Sequence, residues 1–328
     1  MPKISIIIPV HNAAAYLSTS LDSLLNQTFD DLEIICIDDC SSDISLQILK
    51  QYEKKDVRVK IIVNTRNIGA SLTRNIGIDS AKGEYIYFMD ADDWIENDYL
   101  ATMLRRISHA KTDIVLNLNV MREALGISQP YEYAAKIKIA PQGEYWDKWR
   151  VIAESPCVLW ARMYKREFLE KNRLRLPSMS TTCEDYVFHY TSNLYCEKTF
   201  LFYGPAYHYR ISNNGITSIA KENKLWDLHF MKAYDAIFDY YNEHHTLEKC
   251  PIKIFNIMSF FMIDTKEKFD FCRAYFFKTA TYFEAHENLY NVLENYFRST
   301  LLNSANFEEY KTKHSANVLA DYLRNKIK

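Results

Sequence analysis

Three carboxylates directly follow an apolar run in the stretch YIYFMDADDW, residues 85–94. They belong to Asp90, Asp92 and Asp93, and like charges so close together repel unless positive charge lies between them. A divalent cation removes the repulsion, and oxygen ligands suit Mg²⁺ or Mn²⁺, which proteins commonly hold with carboxylates and substrate phosphates. The stretch therefore predicts a phosphorylated ligand. The alternative is that the aspartates only begin a helix, where acids are favoured, and Asp93 suits that role.

Two further motifs in this half of the chain carry polar residues that could bind such a ligand. IDDCSSD, residues 37–43, contains adjacent aspartates, and NIGASLTRNIGID, residues 67–79, contains Arg74. A guanidinium at this place could bind a diphosphate with parallel hydrogen bonds. Three of the seven glycines of the chain are Gly69, Gly77 and Gly83, where the lack of a side chain would let the backbone approach a ligand closely.

The elements that must position these motifs alternate between strand and helix over the first 120 residues. Apolar runs predict strands, and apolar residues at helical spacing predict helices between them. The predicted strands are residues 4–10, 33–38, 59–63, 84–89 and 113–118, and the predicted helices lie within 14–27, after 43, from 69 and within 97–110. Buried strands that alternate with helices form a mostly parallel sheet covered on both faces. The loops after Val10, Asp38 and Met89 then meet at the carboxyl ends of the strands, where ligands bind.

The rest of the chain is less regular. Residues 120–155, interrupted by glycines and prolines, are predicted to be irregular, and residues 156–218 mix short helices and strands. Beyond residue 221, Pro251 is the only proline or glycine, so residues 221–328 are predicted to form a helical extension.

Composition argues against several classes of protein. The formal net charge of −2 does not suit a general nucleic-acid binder, which is usually basic. Seven scattered cysteines, an odd number without a CxxC pair, predict reduced thiols rather than a disulfide framework. No apolar run reaches the ~18 residues of a membrane-spanning helix. The short first apolar run ends in proline and predicts no secretory signal, so the predicted location is cytoplasmic.

Taken together, five motifs resemble the family-two inverting glycosyltransferases, which have a GT-A fold. These motifs are Pro9–Asn12, Asp38–Asp43, Asn67–Gly77, Gly83–Asp93 and Glu184–Asp185. The resemblance extends over residues 3–215 and implies an α/β GT-A fold, a mostly parallel sheet flanked by helices, with a C-terminal helical extension. The implied domains are a glycosyltransferase domain, 1–220, with a nucleotide-binding half, 1–118, and an acceptor-side half, 119–220, and then the extension, 221–328.

The resemblance implies an enzyme, a hexosyl- or N-acetylhexosaminyltransferase. It would move a sugar from a UDP-sugar to a hydroxyl of a glycan or lipid-linked glycan, with inversion, using Mn²⁺ or Mg²⁺. The implied setting is bacterial surface polysaccharide or lipooligosaccharide synthesis. The enzyme would act in the cytoplasm or peripherally on the inner face of the cytoplasmic membrane, and no nucleic-acid partner is implied.

The resemblance also implies roles for individual residues on the donor side. The residues that would border or bind the nucleotide are Pro9, Val10, Asn12, Asp39, Arg74, Asn75, Asp90 and Ala91. Asp39 would hydrogen-bond the uracil, Arg74 would lie near the diphosphate, and Asn75 would lie near the base or ribose. His11 and Cys40 depart from the tyrosine and glycine more usual in the family, and both would alter how closely the uridine fits.

The metal motif of the family falls on the acidic stretch. Asp92 would hold the cation together with Asp90, which would also lean toward the ribose. Asp93 would share the cation or reach the sugar.

An inverting transfer needs a base, because the acceptor hydroxyl has a pKa far above 7 and must lose its proton as it attacks. The resemblance implies Asp185 as this base, with Glu184 second. The alternative is that this acidic pair only begins a helix, where acids are expected in any case.

Five residues are implied on the acceptor side or on the loop that closes over the donor. Trp160 would stack on a sugar ring or pack in the core, and Arg162 or Lys165 would meet a phosphate. His208 and Arg210 would contact the metal or the diphosphate, although His208 also suits the end of a strand.

Two other classes of protein remain open at this point. A non-catalytic nucleotide-sugar-binding module would share Asp92 and Arg74 but would have no use for Asp185. An aspartate-based phosphohydrolase usually carries its motif on the first strand of its core, whereas here the motif follows three earlier predicted strands.

The aromatic extension has three interpretations. It could be a packed helical cap, a surface that contacts a membrane where a lipid-linked acceptor lies, or a homodimer interface. The apolar residues assigned to such an interface are Phe260, Phe261, Phe276 and Phe277.

Overall fold

The computed structural model describes residues 1–124, 126–179, 183–211, 226–244, 266–271, 273–274, 305–306 and 308–309. The chain divides into two units, Met1–Ile219 and Ala220–Lys328. This division reflects which residues lie near one another, so the functions assigned to the two domains stay predictions.

Strands and helices alternate through the described part of the first unit. The strands are β1 (Ile4–Val10), β2 (Leu32–Asp38), β3 (Val59–Val63), β4 (Tyr85–Phe88), β5 (Trp94–Ile95), β6 (Ile114–Asn117), β7 (Val120–Ala124), β8 (Ile127–Pro130), β9 (Glu144–Asp147), β10 (Arg162–Lys165), β11 (Lys198–Phe202) and β12 (Tyr207–Arg210). The helices are α1 (Leu17–Leu25), α2 (Ser45–Lys55), α3 (Ala70–Ser80), α4 (Tyr99–Ala110), α5 (Glu132–Ala135), α6 (Lys148–Glu154), α7 (Arg166–Lys171) and α8 (Glu184–Tyr195). The alternation predicted for the first 120 residues is confirmed, with element ends shifted by a few residues.

Eight strands form one mixed sheet in the order β3-β2-β1-β4-β10-β6-β11-β9. The first four in this order pair in parallel, and β11 is also parallel to β6. β10 is antiparallel to both of its neighbours, and β9 is antiparallel to β11. Because Val10 lies opposite Asp38 in this register, the loops that follow β1 and β2 begin side by side. The predicted mostly parallel sheet is confirmed.

Apolar residues on both faces explain why β1 and β2 lie at the centre of the sheet. Every residue of β2 is buried, and Ile6, Ile7 and Ile8 of β1 are fully buried. Burial of such side chains contributes roughly 1.5–3 kcal/mol each. The helices cover the two faces of the sheet with their own apolar residues, as expected for buried parallel strands.

Two of the glycines serve packing within the protein. A Cβ added at Gly77 would lie 2.3 Å from Cγ2 of Ile7, so glycine lets α3 lie directly on β1. A Cβ at Gly83 would lie 2.6 Å from the backbone nitrogen of Ser5. The prediction that these glycines admit a ligand is therefore wrong for Gly77 and Gly83, because their missing side chains make room for the sheet.

A second sheet has the strand order β5-β12-β7-β8. The prediction of irregular structure over 120–155 is wrong, since this range contains β7, β8, α5, β9 and α6. The hairpin of β7 and β8 turns at Gly126, which has a φ of 77°, and β8 is exposed along its length. An exposed strand has no apolar pattern, so the periodicity on which the sequence prediction relied is missing there.

The described part of the second unit is mainly the helix α9 (Trp226–Glu243). Its buried residues include Met231, Tyr234, Ile237 and Tyr241. The four phenylalanines assigned to a homodimer interface lie outside the described residues, so that interpretation stays a prediction. None of the helices in the described ranges has both the length and the apolar character needed to cross a membrane.

Candidate active site

Asn12 joins the loop after β1 to the loop after β2. Its backbone has a φ of 52°, and its side-chain oxygen accepts hydrogen bonds from the N–H groups of Ser42 and Asp43, at 2.8 and 3.2 Å. The carbonyl of Val10 accepts a hydrogen bond from the N–H of Asp39 at 2.7 Å. The first two strand ends are therefore fastened to each other by the residues predicted to border the base.

Both oxygens of the Asp39 carboxylate accept hydrogen bonds from groups of the protein. Its Oδ1 accepts from Asn64 Nδ2 at 2.8 Å and from the N–H of Ile68 at 3.0 Å, and its Oδ2 accepts from the N–H of Gly69 at 2.8 Å. Asp39 is only 3% exposed, whereas the nearby Pro9 is partly exposed. Asp39 thus holds the turn before α3 in place.

Arg74 on α3 connects two of the predicted motifs. Its Nη2 donates to Asp90 Oδ1 at 2.7 Å, and its Nη1 donates to Glu184 Oε1 at 3.1 Å. The side chain is buried. Burial alone would lower the pKa of Arg74, but the charges of Asp90 and Glu184 hold it above its ordinary value. The guanidinium therefore stays charged and links the acidic stretch after β4 to the acidic pair of α8.

The charge of Asp92 is poorly balanced. Burial, and then the charge of Asp90, raise the pKa of Asp92 to about 6. Of the described residues other than Asp92 itself, none donates a hydrogen bond to this carboxylate, although the charge of Arg210 acts to lower its pKa. Between the two acids, Ala91 is buried. A positive ligand would therefore be favoured beside Asp92.

Asp93 differs from Asp92 because both of its oxygens are used by the protein. One accepts from the Tyr207 hydroxyl, and the other accepts from the N–H of Arg210 at 2.8 Å. The Nε of Arg210 also donates to the carbonyl of Asp92 at 2.8 Å. Asp93 is 1% exposed. Its hydrogen bonds to Tyr207 and Arg210 hold the acidic stretch against β12.

Asp185 and Glu184 form the first turn of α8. Burial, and then the charge of Glu184, raise the pKa of Asp185 well above its ordinary value. One oxygen of Asp185 accepts from the N–H of Tyr186 at 2.9 Å. Arg74 hydrogen-bonds Glu184 and not Asp185, so the two neighbouring carboxylates have different surroundings.

Two of the predicted site residues make contacts within the protein instead. Asn75 exchanges two hydrogen bonds of 2.8 Å with the backbone of Leu176. Arg162 is fully buried and donates to the carbonyls of Val158 and Pro156 and to the hydroxyl of Ser155. The structure does not bring these two side chains to the acidic stretch after β4 or to the acidic pair of α8.

His208 and Trp160 are also largely enclosed. His208 Nδ1 lies 2.7 Å from Glu123 Oε1, and its ring stacks on Trp94 with 3.4 Å between centroids. Trp160 is 7% exposed and lies parallel to the rings of Tyr207 and Tyr209.

Three contacting residues were not predicted from the sequence. Asn64 follows the end of β3 and bonds Asp39, so the rule that strand ends carry ligand residues could have found it. Tyr16, whose ring lies 4.7 Å from the guanidinium of Arg210, gives no such signal. Glu123 gives none either, because its contact with His208 depends on a strand pair of the second sheet.

Asp90 and Asp92 fit a divalent cation better than Asp93 does. Their oxygens are hard ligands, and Asp92 has charge to balance, whereas both oxygens of Asp93 already accept hydrogen bonds. Across the ranges described above, no three or more His, Cys, Asp or Glu side chains are grouped to hold a metal by themselves. Mg²⁺ is commonly held by one or two carboxylates together with substrate phosphates.

Comparison with known proteins gives consistent matches. The chain matches the family described as glycosyl transferase family 2 over residues 5–172. EpsH of Bacillus subtilis strain 168, whose name assigns it to the glycosyltransferases, is 32% identical over 250 residues, which cover 76% of this chain and 72% of EpsH. The poly(ribitol-phosphate) beta-glucosyltransferase of Bacillus spizizenii is 35% identical over 65% of this chain and 33% of that protein.

The solved structures that match share the fold. Residues 1–349 of S. aureus TarS align with a TM-score of 0.64 at 20% identity, over 99% of this chain and 92% of that one. A structure of the same protein in complex with UDP-GlcNAc aligns with a TM-score of 0.60 over 83% of this chain and 80% of that one, also at 20% identity. This likeness confirms the GT-A fold expected from the sequence motifs.

Proposed function

The chain belongs to glycosyl transferase family 2 and is a glycosyltransferase, and on this premise we propose that it moves one sugar from a UDP-sugar to a hydroxyl of a glycan, with inversion. The observation that carries the proposal is the pair of hydrogen bonds from Arg74 to Asp90 and to Glu184. Through them, the acidic stretch proposed to face the donor diphosphate meets the acidic pair proposed to face the acceptor. Family membership sets aside the phosphohydrolase and the non-catalytic module.

Asp185 is the proposed base. It would take the proton of the acceptor hydroxyl while the acceptor oxygen forms a bond to the anomeric carbon and the bond to the UDP oxygen breaks. A raised carboxyl pKa suits this task, because proton transfer is most efficient when the pKa of the base lies nearer the working pH. Glu184 is less suited, since it is already engaged by the guanidinium of Arg74.

Asp92 and Asp90 would hold a divalent cation, Mn²⁺ or Mg²⁺, which when bound would supply positive charge to the leaving diphosphate. Arg74 supplies fixed positive charge to the same region and orients Asp90. Asp39 is proposed to meet the uracil, and the hydrogen bonds from Ile68 and Gly69 would keep its carboxylate in one orientation.

The donor and the setting are proposed from named relatives. TarS has been solved with UDP-GlcNAc, and a relative of this chain is named as a glucosyltransferase, so an N-acetylhexosamine and a hexose are the proposed donor sugars. That relative acts on a poly(ribitol-phosphate), which supports a bacterial surface glycan as the acceptor. We place the reaction in the cytoplasm, with the second unit as the proposed contact to a membrane or to a second copy.

The test is UDP release from a panel of UDP-sugars, with Mn²⁺ or with EDTA, by wild type, Asp92→Asn and Asp185→Asn. The matched control is Asp30→Asn, because the side chain of Asp30 is 85% exposed and lies before β2, at the opposite end of the sheet. The proposal expects turnover of one UDP-sugar, its loss with EDTA and in both site variants, and an active control. Failure of wild type to release UDP from any UDP-sugar would overturn it.

A further inference from the structure

An aromatic stack lies beside the acidic stretch and ends at the surface. Trp160 is parallel to Tyr207, with 4.5 Å between ring centroids and 12° between planes, and to Tyr209, with 5.5 Å and 11°. Tyr207 and Tyr209 share one face of β12 because side chains alternate along a strand. Tyr207 is fully buried and Trp160 nearly so, whereas Tyr209 is partly exposed. Tyr209 is therefore the member of the stack that a ligand can reach.

Tyr209 also lies close to the proposed transfer site. Burial, and then the charges of Asp93 and Asp90, raise the pKa of its phenol, so its hydroxyl keeps its proton and can donate. Its ring contacts are with Trp160 and with the edge of Tyr131, which lies 6.0 Å away between centroids. No hydrogen bond joins the Tyr209 hydroxyl to another residue of the described ranges.

A carbohydrate ring has the two features that such a residue would recognise. Its C–H groups present an apolar face that packs on an aromatic ring, and its hydroxyls accept hydrogen bonds from a phenol. Binding sites for small molecules commonly combine an aromatic wall with a few polar groups placed in this way. Trp160 offers a ligand little surface, because it is only 7% exposed.

We propose that Tyr209, held in orientation by Trp160, binds a pyranose ring of one sugar substrate through its face and its hydroxyl. The inference rests on the proposed function and deepens it, since it moves the predicted sugar contact from Trp160 to Tyr209. The ring could be that of the donor or that of the acceptor, and the two sources differ in which KM depends on Tyr209.

The experiment compares wild type, Tyr209→Phe, Tyr209→Leu and Tyr145→Leu. Tyr145 is the control, because it is also a tyrosine on a strand with an accessible ring, at 45% exposed, and it lies on the edge strand β9, away from the acidic stretch. The measurements are KM for the UDP-sugar, KM for the glycan acceptor, kcat, and the Kd of UDP alone. Thermal unfolding of each variant shows whether it is folded.

The loss of ring and hydroxyl in Tyr209→Leu should raise one KM about ten-fold, with kcat changed less than about three-fold. Tyr209→Phe, which keeps the packing, should raise the same KM by about three-fold. UDP affinity should not change, and Tyr145→Leu should behave as wild type. A rise in the KM of the UDP-sugar assigns the donor ring, and a rise in that of the acceptor assigns the acceptor ring.

Failure of this inference and failure of the proposed function can be told apart. An active wild type whose KM values are unchanged in Tyr209→Leu overturns this inference alone. Equal loss of UDP affinity and sugar affinity also overturns it, because a purely structural role would disturb both. A wild type that releases no UDP from any UDP-sugar overturns the proposed function and this inference with it.

Discussion

Carboxylates at two places on the rim of the sheet differ in what surrounds them. Asp39, after β2, accepts three hydrogen bonds from Asn64, Ile68 and Gly69, and is almost completely buried. The acidic cluster contains four carboxylates in two motifs, and Arg74 is in direct contact with two of them. Its members are Asp90, Asp92, Glu184 and Asp185.

The acidic cluster, unlike Asp39, is a place where a ligand must bring positive charge. Neutral N–H donors are sufficient for Asp39, so its orientation is set before anything binds. The acidic cluster carries more negative than positive charge, and the pKa values of Asp92 and Asp185 are raised as a result of burial and of neighbouring acids. The excess negative charge of such a region is neutralised by a bound cation or by gain of a proton, which are the two events that the proposed transfer uses there.

Within the acidic cluster, substitution of Asp185 should reduce turnover most. Asp185→Asn keeps the shape of the side chain but cannot take a proton, so kcat for UDP release with acceptor should fall about 10²–10⁴-fold. Steady-state kinetics at saturating substrates measures this fall.

The neighbouring carboxylate supplies the control for that variant. Glu184→Gln should lose only about ten-fold, because its amide oxygen can still accept a hydrogen bond from Arg74. If Glu184→Gln abolishes turnover while Asp185→Asn keeps it, the roles assigned to the two acids are reversed.

The next variant removes Arg74, the positively charged side chain that contacts the acidic cluster. Arg74→Gln leaves Asp90 and Glu184 without their partner, so the free energy of unfolding should fall by about 3 kcal/mol. Urea unfolding measures this change. Arg175→Gln is the matched control, since Arg175 also contacts two carboxylates, Asp79 and Glu170, but at the surface.

An exposed pair of this kind contributes little, so Arg175→Gln should cost less than about 1 kcal/mol. Equal destabilisation by the two variants would show that burial adds nothing to the contacts of Arg74.

The sequence indicated the central strands, because β1 and β2 are continuous apolar runs and the helices between them have helical spacing. It also indicated the acidic stretch and Arg74, since both occur in short motifs near strand ends. It could not show that the protein itself supplies hydrogen bonds to Asp93 but not to Asp92. The two donors to Asp93 come from β12, more than 100 residues away in the chain. It placed Arg162 and Asn75 at the site for the same reason, as their partners are set by packing.

A smaller effect tests this sorting of the adjacent aspartates. Asp93→Ala leaves the Tyr207 hydroxyl and the Arg210 N–H without an acceptor in a buried place, so the free energy of unfolding should fall by about 1–3 kcal/mol. Asp92→Ala should not destabilise the protein in this way. Urea unfolding of both variants in EDTA measures the difference, and equal destabilisation would mean that Asp92 also has an anchoring role.

The smallest effect is an increase in stability. The folded protein holds a proton on Asp92 more strongly than the unfolded chain does, since its pKa is raised from 3.8 to about 6. The ionised form of Asp92 therefore destabilises the folded protein. This destabilisation is small at pH 4, grows as the pH rises, and is fully present above about pH 6. Asp92→Asn removes the cost, so in EDTA it should be about 1 kcal/mol more stable than wild type at pH 7.5, after allowance for partial exposure.

That difference should shrink at pH 5, and Mn²⁺ should reverse its sign at pH 7.5, because the cation would stabilise wild type and not Asp92→Asn. Thermal unfolding of the two proteins at both pH values, with EDTA and with Mn²⁺, measures all four comparisons. Asp30→Asn is again the control, since its carboxylate is exposed. A variant less stable than wild type in EDTA at pH 7.5 would show that the carboxylate of Asp92 is satisfied by the protein itself, as that of Asp39 is.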